Sequence, residues 1–443
     1  MSPARHPRLK LLLPALLLAL IAVVRAAEPV EIVVATVNNG HMIEMQRQTR
    51  QFEQANPGIR VRWETLEEGA LRQRVTTDIA TGGGRYDVLT IGMYETRIWS
   101  RRGWLLPLEL PADYDAADLL PTVRDGLSLN GRLYALPFYG ESSMLMLRTD
   151  LAQKAGVNLP ERPTWAQVRE AAAKLHDPAA GVAGLCLRGK PGWGDNMALI
   201  TTMVNAHGGQ WFDMAWRPQL DSKPWRDAVT LYVDLLTRYG PPGAAANGFN
   251  ELLTLFQDGR CAMWVDATVA ASFIDDPRRS KVAGRVGYAQ APQAVTAKGA
   301  NWLWAWALAV PSATRKAAAA QRFVAWATSR AYVLQVANSQ GWAAVPTGTR
   351  RSTYDNPAFQ RAAPFAAAER RAIDSVNPDD PTLPRSPYGG VQYVAIPEFQ
   401  AIGIAVGQQI AAALAGRQSV SQALVAGQQA CERALRDGGY FAR

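Results

Sequence analysis

The chain has 443 residues, of which 48% are hydrophobic, and a formal net charge of +9 at pH 7. This length exceeds what one hydrophobic core normally covers, so we expect two lobes. The positive charges are scattered and form no basic runs interleaved with aromatic residues, which argues against nucleic acid as a partner.

The first 26 residues have the pattern of a secretory signal peptide. Arg5, Arg8 and Lys10 precede an apolar stretch over residues 11–24, and the small residue Ala26 follows as a cleavage point. About 14 apolar residues are too few to span a membrane and suit a signal peptide. We therefore expect residues 1–26 to be removed, which takes away four positive charges and leaves +5. The mature chain is then expected in the periplasm.

Three cysteines occur, at positions 186, 261 and 431. In an oxidising compartment one disulfide with one thiol left over is expected. Cys186 and Cys261 both lie at the ends of apolar, strand-like segments, so we predict that these two pair. Three unpaired buried thiols are the alternative.

Residues 31–91 alternate between strand-like and helix-like patterns. Strands are predicted at 31–37, 59–66 and 87–91, with a helix in each interval. This order predicts a parallel, doubly wound sheet covered by helices on both faces. Ligands of such sheets bind at the carboxyl ends of the strands. The loops at those ends contain Asn38-Asn39, Glu67-Glu68 and Tyr94-Glu95, although any one of these could equally be a helix cap or a turn residue.

Polar residues also interrupt or follow apolar segments further along the chain. The extended pattern of residues 133–147 is broken at Gly140-Glu141-Ser142, which predicts a segment that crosses between lobes with Glu141 facing the gap. A glycine-flanked loop contains Trp193, Asp195 and Asn196, and a strand ending at Val265 is followed by Asp266 and Thr268.

Three tryptophans occupy alternate positions in the run 301–311, at 302, 304 and 306. Strand side chains alternate between faces, so a strand here would place all three indoles on one face. We predict that Trp302 and Trp304 line a cleft and that Trp306, next to an apolar stretch, packs in the core. Indole faces suit the C–H surfaces of sugars and polyols.

Taken in order, these features resemble the extracellular solute-binding proteins of ABC importers, the class that includes maltose-binding protein. The resemblance rests on the leader, the first strand running into Asn38-Asn39-Gly40, and the segments 131–134, 306–311 and 396–416. Five further motifs resemble the sorbitol- and mannitol-binding subgroup: Thr65–Glu68, Arg72–Ala80, Phe138–Ser143, Trp264–Val269 and Asn301–Trp306.

The resemblance implies a two-lobed α/β periplasmic binding protein fold, each lobe a mainly parallel sheet flanked by helices. The expected lobes are 27–138 with 293–332, and 139–292 with 333–443. It also implies a monomer that captures a linear sugar alcohol such as sorbitol, mannitol or arabitol. The permease subunits of an ABC transporter are the expected protein partners, and no cofactor is expected.

Carried over by position, the resemblance and the loop positions above predict a set of ligand-binding residues. Polyol hydroxyls both donate and accept hydrogen bonds, which matches carboxylates, amides and indoles. We expect no catalytic residue and no metal ligand. The predicted ligand-binding residues are Asn38, Asn39, Glu68, Tyr94, Glu95, Glu141, Trp193, Asp195, Asn196, Asp266, Thr268, Trp302 and Trp304.

Three alternatives remain at this stage. The ligand could be a mono- or oligosaccharide, or the chain could be a secreted glycoside-processing enzyme that uses two of its carboxylates. The sequence lacks Gly-x-Ser-x-Gly and His-Glu-x-x-His motifs and has four histidines, which disfavours an enzyme. A structural or adhesion module would leave the polar cleft without a purpose.

Overall fold

The computed structural model describes residues 28–440, so the predicted signal peptide lies outside the described part of the chain. The strands are β1 Val30–Val37, β2 Ile59–Leu66, β3 Val88–Ile91, β4 Ser128–Leu129, β5 Arg132–Leu133, β6 Ala135–Glu141, β7 Ser143–Arg148, β8 Met263–Ala267, β9 Val286–Gln290 and β10 Trp304–Ala309.

Helices surround these strands and make up most of the regular structure. None of those within residues 28–440 has both the length and the apolar character needed to cross a membrane. The helices are α1 Gly40–Ala55, α2 Glu68–Thr81, α3 Met93–Arg101, α4 Pro121–Gly126, α5 Thr149–Lys154, α6 Trp165–Leu175, α7 Asn196–Ala206, α8 Lys223–Tyr239, α9 Phe249–Gln257, α10 Ala270–Ile274, α11 Ala317–Ala327, α12 Arg330–Gln340, α13 Arg351–Tyr354, α14 Pro357–Ala362, α15 Ala366–Asp374, α16 Phe399–Leu414 and α17 Val420–Asp437.

The larger sheet has five strands in the order β2-β1-β3-β10-β6. As predicted, β1 is parallel to both β2 and β3. Residues 32–37 of β1 and all of β3 and β10 are buried, because helices including α2 and α11 pack against this sheet. The carboxyl ends of β1 and β2 therefore lie side by side and open toward the same edge.

The smaller sheet does not have the predicted strand direction. Its order is β8-β7-β9, and β7 is antiparallel to both neighbours. In the larger sheet β10 is likewise antiparallel to β3 and β6. The expectation of a mainly parallel sheet in each lobe is therefore wrong for the second lobe, while the α/β class is confirmed. A continuously apolar strand indicates that both faces of its sheet are buried. The same apolar pattern occurs in parallel and in antiparallel sheets, so it could not predict strand direction.

Only Ser142 separates β6 of the larger sheet from β7 of the smaller one. Its Oγ donates to the Trp302 carbonyl oxygen at 2.7 Å, and its backbone N–H donates to Thr268 Oγ1 at 3.2 Å. A further crossing segment passes beside them, where the Gly140 N–H donates to the Thr347 carbonyl oxygen at 2.8 Å. Gly348, with φ +74°, approaches Gly140 so closely that neither position has room for a side chain.

A buried carboxylate, Glu369, holds these crossing segments together. It accepts hydrogen bonds from Thr268 Oγ1 at 3.0 Å, Thr347 Oγ1 at 2.9 Å and Tyr354 OH at 2.7 Å. Burial raises its pKa to about 7, although the three hydroxyl donors lower it in part. The segment that contains Thr268 and the segment 347–354, which are distant in sequence, thus share one acceptor at the hinge.

The predicted lobe boundaries differ from these contacts at two places. Residues 139–141 belong to β6, where Glu141 pairs with Trp304 of the larger sheet. Helix α12 bonds to α1, since Gln335 Nε2 donates to Gln48 Oε1 at 2.8 Å. We propose that the first crossing lies at Ser142 and that the last one follows α12.

The predicted disulfide between Cys186 and Cys261 is present, with a Cα–Cα distance of 6.0 Å, and Cys431 is a buried free thiol. Cys186 lies opposite Trp264 of β8 in a short parallel bridge, and the disulfide joins it to Cys261, two residues before β8 begins. Both this segment and β8 lead directly into the cleft described below.

Reducing this disulfide should lower the free energy of unfolding by about 2–5 kcal/mol, because it closes a long loop in the unfolded chain. Urea titrations with and without reductant measure the effect. Cys431→Ala should keep the sensitivity to reductant, whereas the Cys186→Ala/Cys261→Ala variant should have lost it. If reductant changed the free energy of unfolding equally in both variants, the disulfide would make no contribution to stability.

Candidate ligand-binding site

A cleft between the two sheets collects the polar ends of several strands and helices. Asn38 and Asn39 follow β1, Glu68 opens α2, and Glu141 ends β6. Asn39 also caps α1, because its Oδ1 accepts from the Met42 N–H, so the ligand and cap interpretations are not exclusive. Eight of the thirteen predicted residues line the cleft: Asn38, Asn39, Glu68, Glu141, Trp193, Asp195, Trp302 and Trp304.

All three alternating tryptophans face this cleft. The strand begins at Trp304, and Trp302 lies in the segment just before it. Trp306 lines the cleft as well and is 5% exposed, the same fraction as Trp304. The prediction that Trp306 packs only in the core is therefore wrong, because the alternation that groups the indoles directs the third to the same face as the second.

Arg72 of α2 lies at the centre of these indoles. Its guanidinium carbon is 4.9 Å from the Trp304 ring centroid, 4.8 Å from that of Trp306 and 4.1 Å from that of Trp193, which belongs to the second lobe. Stacking of a guanidinium on indole is a favourable contact, and more so when water is excluded. The contact with Trp193 therefore joins the two lobes across the cleft.

Tyr94 and Glu95, predicted to touch ligand, lie behind the cleft wall instead. Glu95 accepts from Arg72 Nη1 and, at 3.0 Å, from the Gly92 N–H at the start of α3. Tyr94 OH donates to the Ile396 carbonyl oxygen at 3.0 Å. Helix α3 turns both side chains away from the cleft, so Glu95 holds Arg72 and Tyr94 joins the lobes.

Asp266, Thr268 and Asn196 are likewise absent from the lining. The Asp266 carboxylate is fully buried and accepts from Arg188 Nε at 3.0 Å and from Trp264 Nε1 at 2.9 Å. Thr268 bonds within the hinge. Asn196 Nδ2 donates to a carbonyl oxygen of α16 and its Oδ1 accepts from the Gly192 N–H, so it anchors the Trp193 loop. These polar groups are satisfied by protein partners.

Two carboxyl groups of the cleft have strongly raised pKa values. Burial raises the pKa of Glu141 from its ordinary value of 4.5 to about 8, although Arg188 lowers it in part. Burial and the neighbouring Glu68 raise the pKa of Asp195 to about 7. Both groups are partly protonated near neutral pH, so each can donate as well as accept a hydrogen bond.

Two indole N–H groups of the cleft are free to donate to a ligand. Trp193 Nε1 and Trp304 Nε1 are buried, and neither has a hydrogen-bond partner among residues 28–440. Buried donors are normally satisfied, so each of these is suited to a ligand acceptor.

Sequence reasoning missed most of the charged residues in the lining. The local sequence does not single out Arg72 or Arg188: Arg72 lies in the mixed run Leu71-Arg72-Gln73-Arg74, and Arg188 follows the short apolar run 185–187. The lining residues outside the predicted set are Val37, Glu67, Arg72, Tyr139, Arg188, Lys190, Gly194, Gly248, Phe249, Asn250, Glu251, Val269, Trp306 and Gln392.

Contacts at the rim show that the cleft is closed in this structure. Lys190 Nζ of the second lobe lies 2.6 Å from Glu67 Oε1 of the first. Asn250 Nδ2 donates to the Asn38 carbonyl oxygen at 3.2 Å. Exposed ion pairs contribute little, so we expect the buried contacts of Trp193 with Arg72 and Trp304 to favour closure more than this ion pair does. Within residues 28–440, no group of His, Cys, Asp and Glu side chains is arranged to hold a metal ion.

Comparison with known proteins identifies the family. A family model described as bacterial extracellular solute-binding protein matches residues 40–333. The chain belongs to this family. It is 54% identical over 433 residues to a mannitol-binding protein of Pseudomonas aeruginosa, an alignment that covers 98% of this chain and 99% of the relative.

Solved structures agree with this assignment and confirm the two-lobed fold. A solute-binding protein of Agrobacterium vitis S4 with bound D-mannitol is 55% identical, with a TM-score of 0.91 over 92% of this chain and 99% of that one. A Thermotoga maritima maltose-bound protein, 22% identical with a TM-score of 0.77, covers 91% of this chain and 99% of that one and shares the fold. The protein is therefore a solute-binding protein of ABC importers and not an enzyme.

The raised pKa of Glu141 makes a testable contribution to stability. The folded state binds this proton more tightly than the unfolded chain, so stability falls as pH rises from about 4.5 to about 8. The slope is at most roughly 1.4 kcal/mol per pH unit for one group. Glu141→Gln should therefore show a shallower fall in chemical denaturation between pH 5 and 8.

The groups that face Glu141 are Arg188, Asp266, Glu68 and Glu369. Because Asp195 and Glu369 also have raised pKa values, some slope should remain in the variant. The exposed Glu109, changed to Gln, is the matched control and should leave the wild-type slope unaltered. A Glu141→Gln slope equal to that of the control would contradict the assignment.

Proposed function

We propose that the protein binds a linear sugar alcohol reversibly in this cleft and delivers it, unchanged, to the membrane subunits of an ABC importer. The proposed site of action is the periplasm, after removal of residues 1–26 as a signal peptide. The observation that carries the proposal is the whole-chain similarity, at more than half identity, to a mannitol-binding protein and to a protein with bound D-mannitol.

The chemistry of the cleft supports the same ligand class. A linear polyol presents a row of hydroxyl groups on one side and C–H groups on the other. Glu141 and Asp195 can accept from hydroxyls, while the N–H groups of Trp193 and Trp304 can donate to them. The indole faces of the alternating tryptophans cover apolar C–H surface. A site of this kind discriminates against ligands that leave its buried polar groups unpaired.

Calorimetry with mannitol, sorbitol and arabitol tests the proposal directly. We expect at least one of them to bind with micromolar affinity or better, which corresponds to about −8 kcal/mol or more favourable. Maltose is the comparison ligand for the alternative that the protein carries a mono- or oligosaccharide. Clear heat with maltose and none with any of the three polyols would overturn the proposal. Recovery of unaltered polyol after incubation checks that no turnover occurs.

Trp193→Phe should weaken polyol binding by about tenfold, because it removes one N–H donor and weakens the stacking on Arg72. Trp104→Phe is the matched control. Trp104 is half-buried and also stacks on an arginine, with the Arg102 guanidinium carbon 4.8 Å from its ring centroid, but it does not line the cleft. Affinities measured by calorimetry should separate the two variants, and equal affinities would remove Trp193 from the site.

A further inference from the structure

Every cation that lines the cleft is paired with a carboxylate of the protein. Arg72 illustrates this, because its Nη2 lies 2.9 Å from Glu68 Oε1 and its Nη1 lies 2.5 Å from Glu95 Oε1. Glu95 is 2% exposed and Arg72 6% exposed, so both ends of the pair are shielded from water. Two carboxylates therefore face one guanidinium, and this cluster has a net negative charge.

The other two cations are neutralised in the same way. Arg188 is 6% exposed and makes a two-pronged ion pair with Asp266, with its Nη2 2.6 Å from Oδ1 and its Nε 3.0 Å from Oδ2. Lys190 pairs with Glu67 at the rim. Asp266, like Glu95, does not line the cleft and lies behind the cation that it neutralises.

The remaining charged groups of the lining are carboxylates: Glu141, Asp195 and Glu251 form no ion pair among residues 28–440. An anionic ligand would thus meet paired arginines, and carboxyl groups that repel it to the extent that they are ionised, in a closed cleft. Charges interact strongly in such surroundings, and a cation that already has a partner gains little from a second anion. A neutral polyol has no charge and is not repelled by these carboxyl groups.

We propose that the cleft selects neutral polyols against sugar acids and sugar phosphates, and that Glu95 and Asp266 are the positioning residues that set this selectivity. Each balances the positive charge of one arginine and fixes its orientation without touching the ligand. The inference rests on the proposed function and adds to it a rule for the charge of the ligand. Selectivity here comes from an unfavourable interaction with the wrong ligand as much as from contacts with the right one.

The test compares D-mannitol with D-mannonate, which carries a carboxylate in place of one terminal hydroxymethyl group. Dissociation constants for both are measured by calorimetry at one pH and one ionic strength. The wild-type protein should prefer mannitol by about a hundredfold or more. Glu95→Gln removes a negative charge beside Arg72 and should narrow this preference by about tenfold, mainly through tighter binding of mannonate.

Asp266→Asn, which leaves Arg188 without a charged partner, should narrow the preference at least as much. If its near-ultraviolet circular dichroism shows that it does not fold, Glu95→Gln decides alone. The exposed Glu109→Gln is the control and should keep the wild-type ratio. Raised salt should narrow the wild-type preference less than the substitutions do, because buried charges are screened weakly.

The outcomes separate this inference from the proposed function. Wild-type protein that binds mannonate within about tenfold of mannitol overturns the inference alone, and so does a ratio in Glu95→Gln equal to that of the control. Binding of mannonate without binding of mannitol, sorbitol or arabitol overturns both proposals. Binding of neither mannonate nor any of these three polyols overturns the proposed function and, with it, the inference.

Discussion

The stacking of Arg72 between indoles from both lobes is the interaction on which the rest of the site depends. Its guanidinium carbon lies within 5 Å of the Trp193, Trp304 and Trp306 ring centroids. Glu95, at the start of α3, accepts a hydrogen bond from the same guanidinium. One side chain thus links α2, α3 and β10 of the first lobe to a loop of the second. Closure of the cleft completes this arrangement, and opening must break it.

The buried carboxyl groups of the site make the folded protein less stable at alkaline pH. Burial holds the pKa of Glu141 near 8 and that of Asp195 near 7, so each favours a proton that the unfolded chain would release. Glu369 has the same property at the hinge, where it joins the segment of Thr268 to the segment 347–354. Ligand hydroxyls can satisfy the first two groups when the cleft is occupied. The burial that lowers stability at alkaline pH also places Glu141 and Asp195 where they can bond ligand hydroxyls.

The sequence predicted the parts of the site that depend on local pattern. Asn38, Asn39 and Glu68 follow strands whose carboxyl ends meet at one sheet edge, and alternation grouped the tryptophans. Arg72 and Arg188 were missed because the carboxylates behind them, Glu95 and Asp266, lie 23 and 78 residues away, and the nearby partner Glu68 does not by itself place Arg72 in the cleft. Glu95 and Asp266 were both predicted as ligand contacts. A position near the end of a strand does not show whether the side chain points into the cleft or toward a protein partner behind it. Strand direction in the second lobe was missed because burial leaves the same apolar pattern in either direction.

A crystal structure of the protein grown with D-mannitol tests the central claim most directly. We expect one polyol chain between the two lobes, with its hydroxyls bonded to Glu141 or Asp195 and to the indole N–H of Trp193 or Trp304. The Arg72 guanidinium should remain paired with Glu95 and make any ligand contact through its other N–H groups. A polyol bound elsewhere, or a closed cleft filled by water alone at saturating mannitol, would contradict the account.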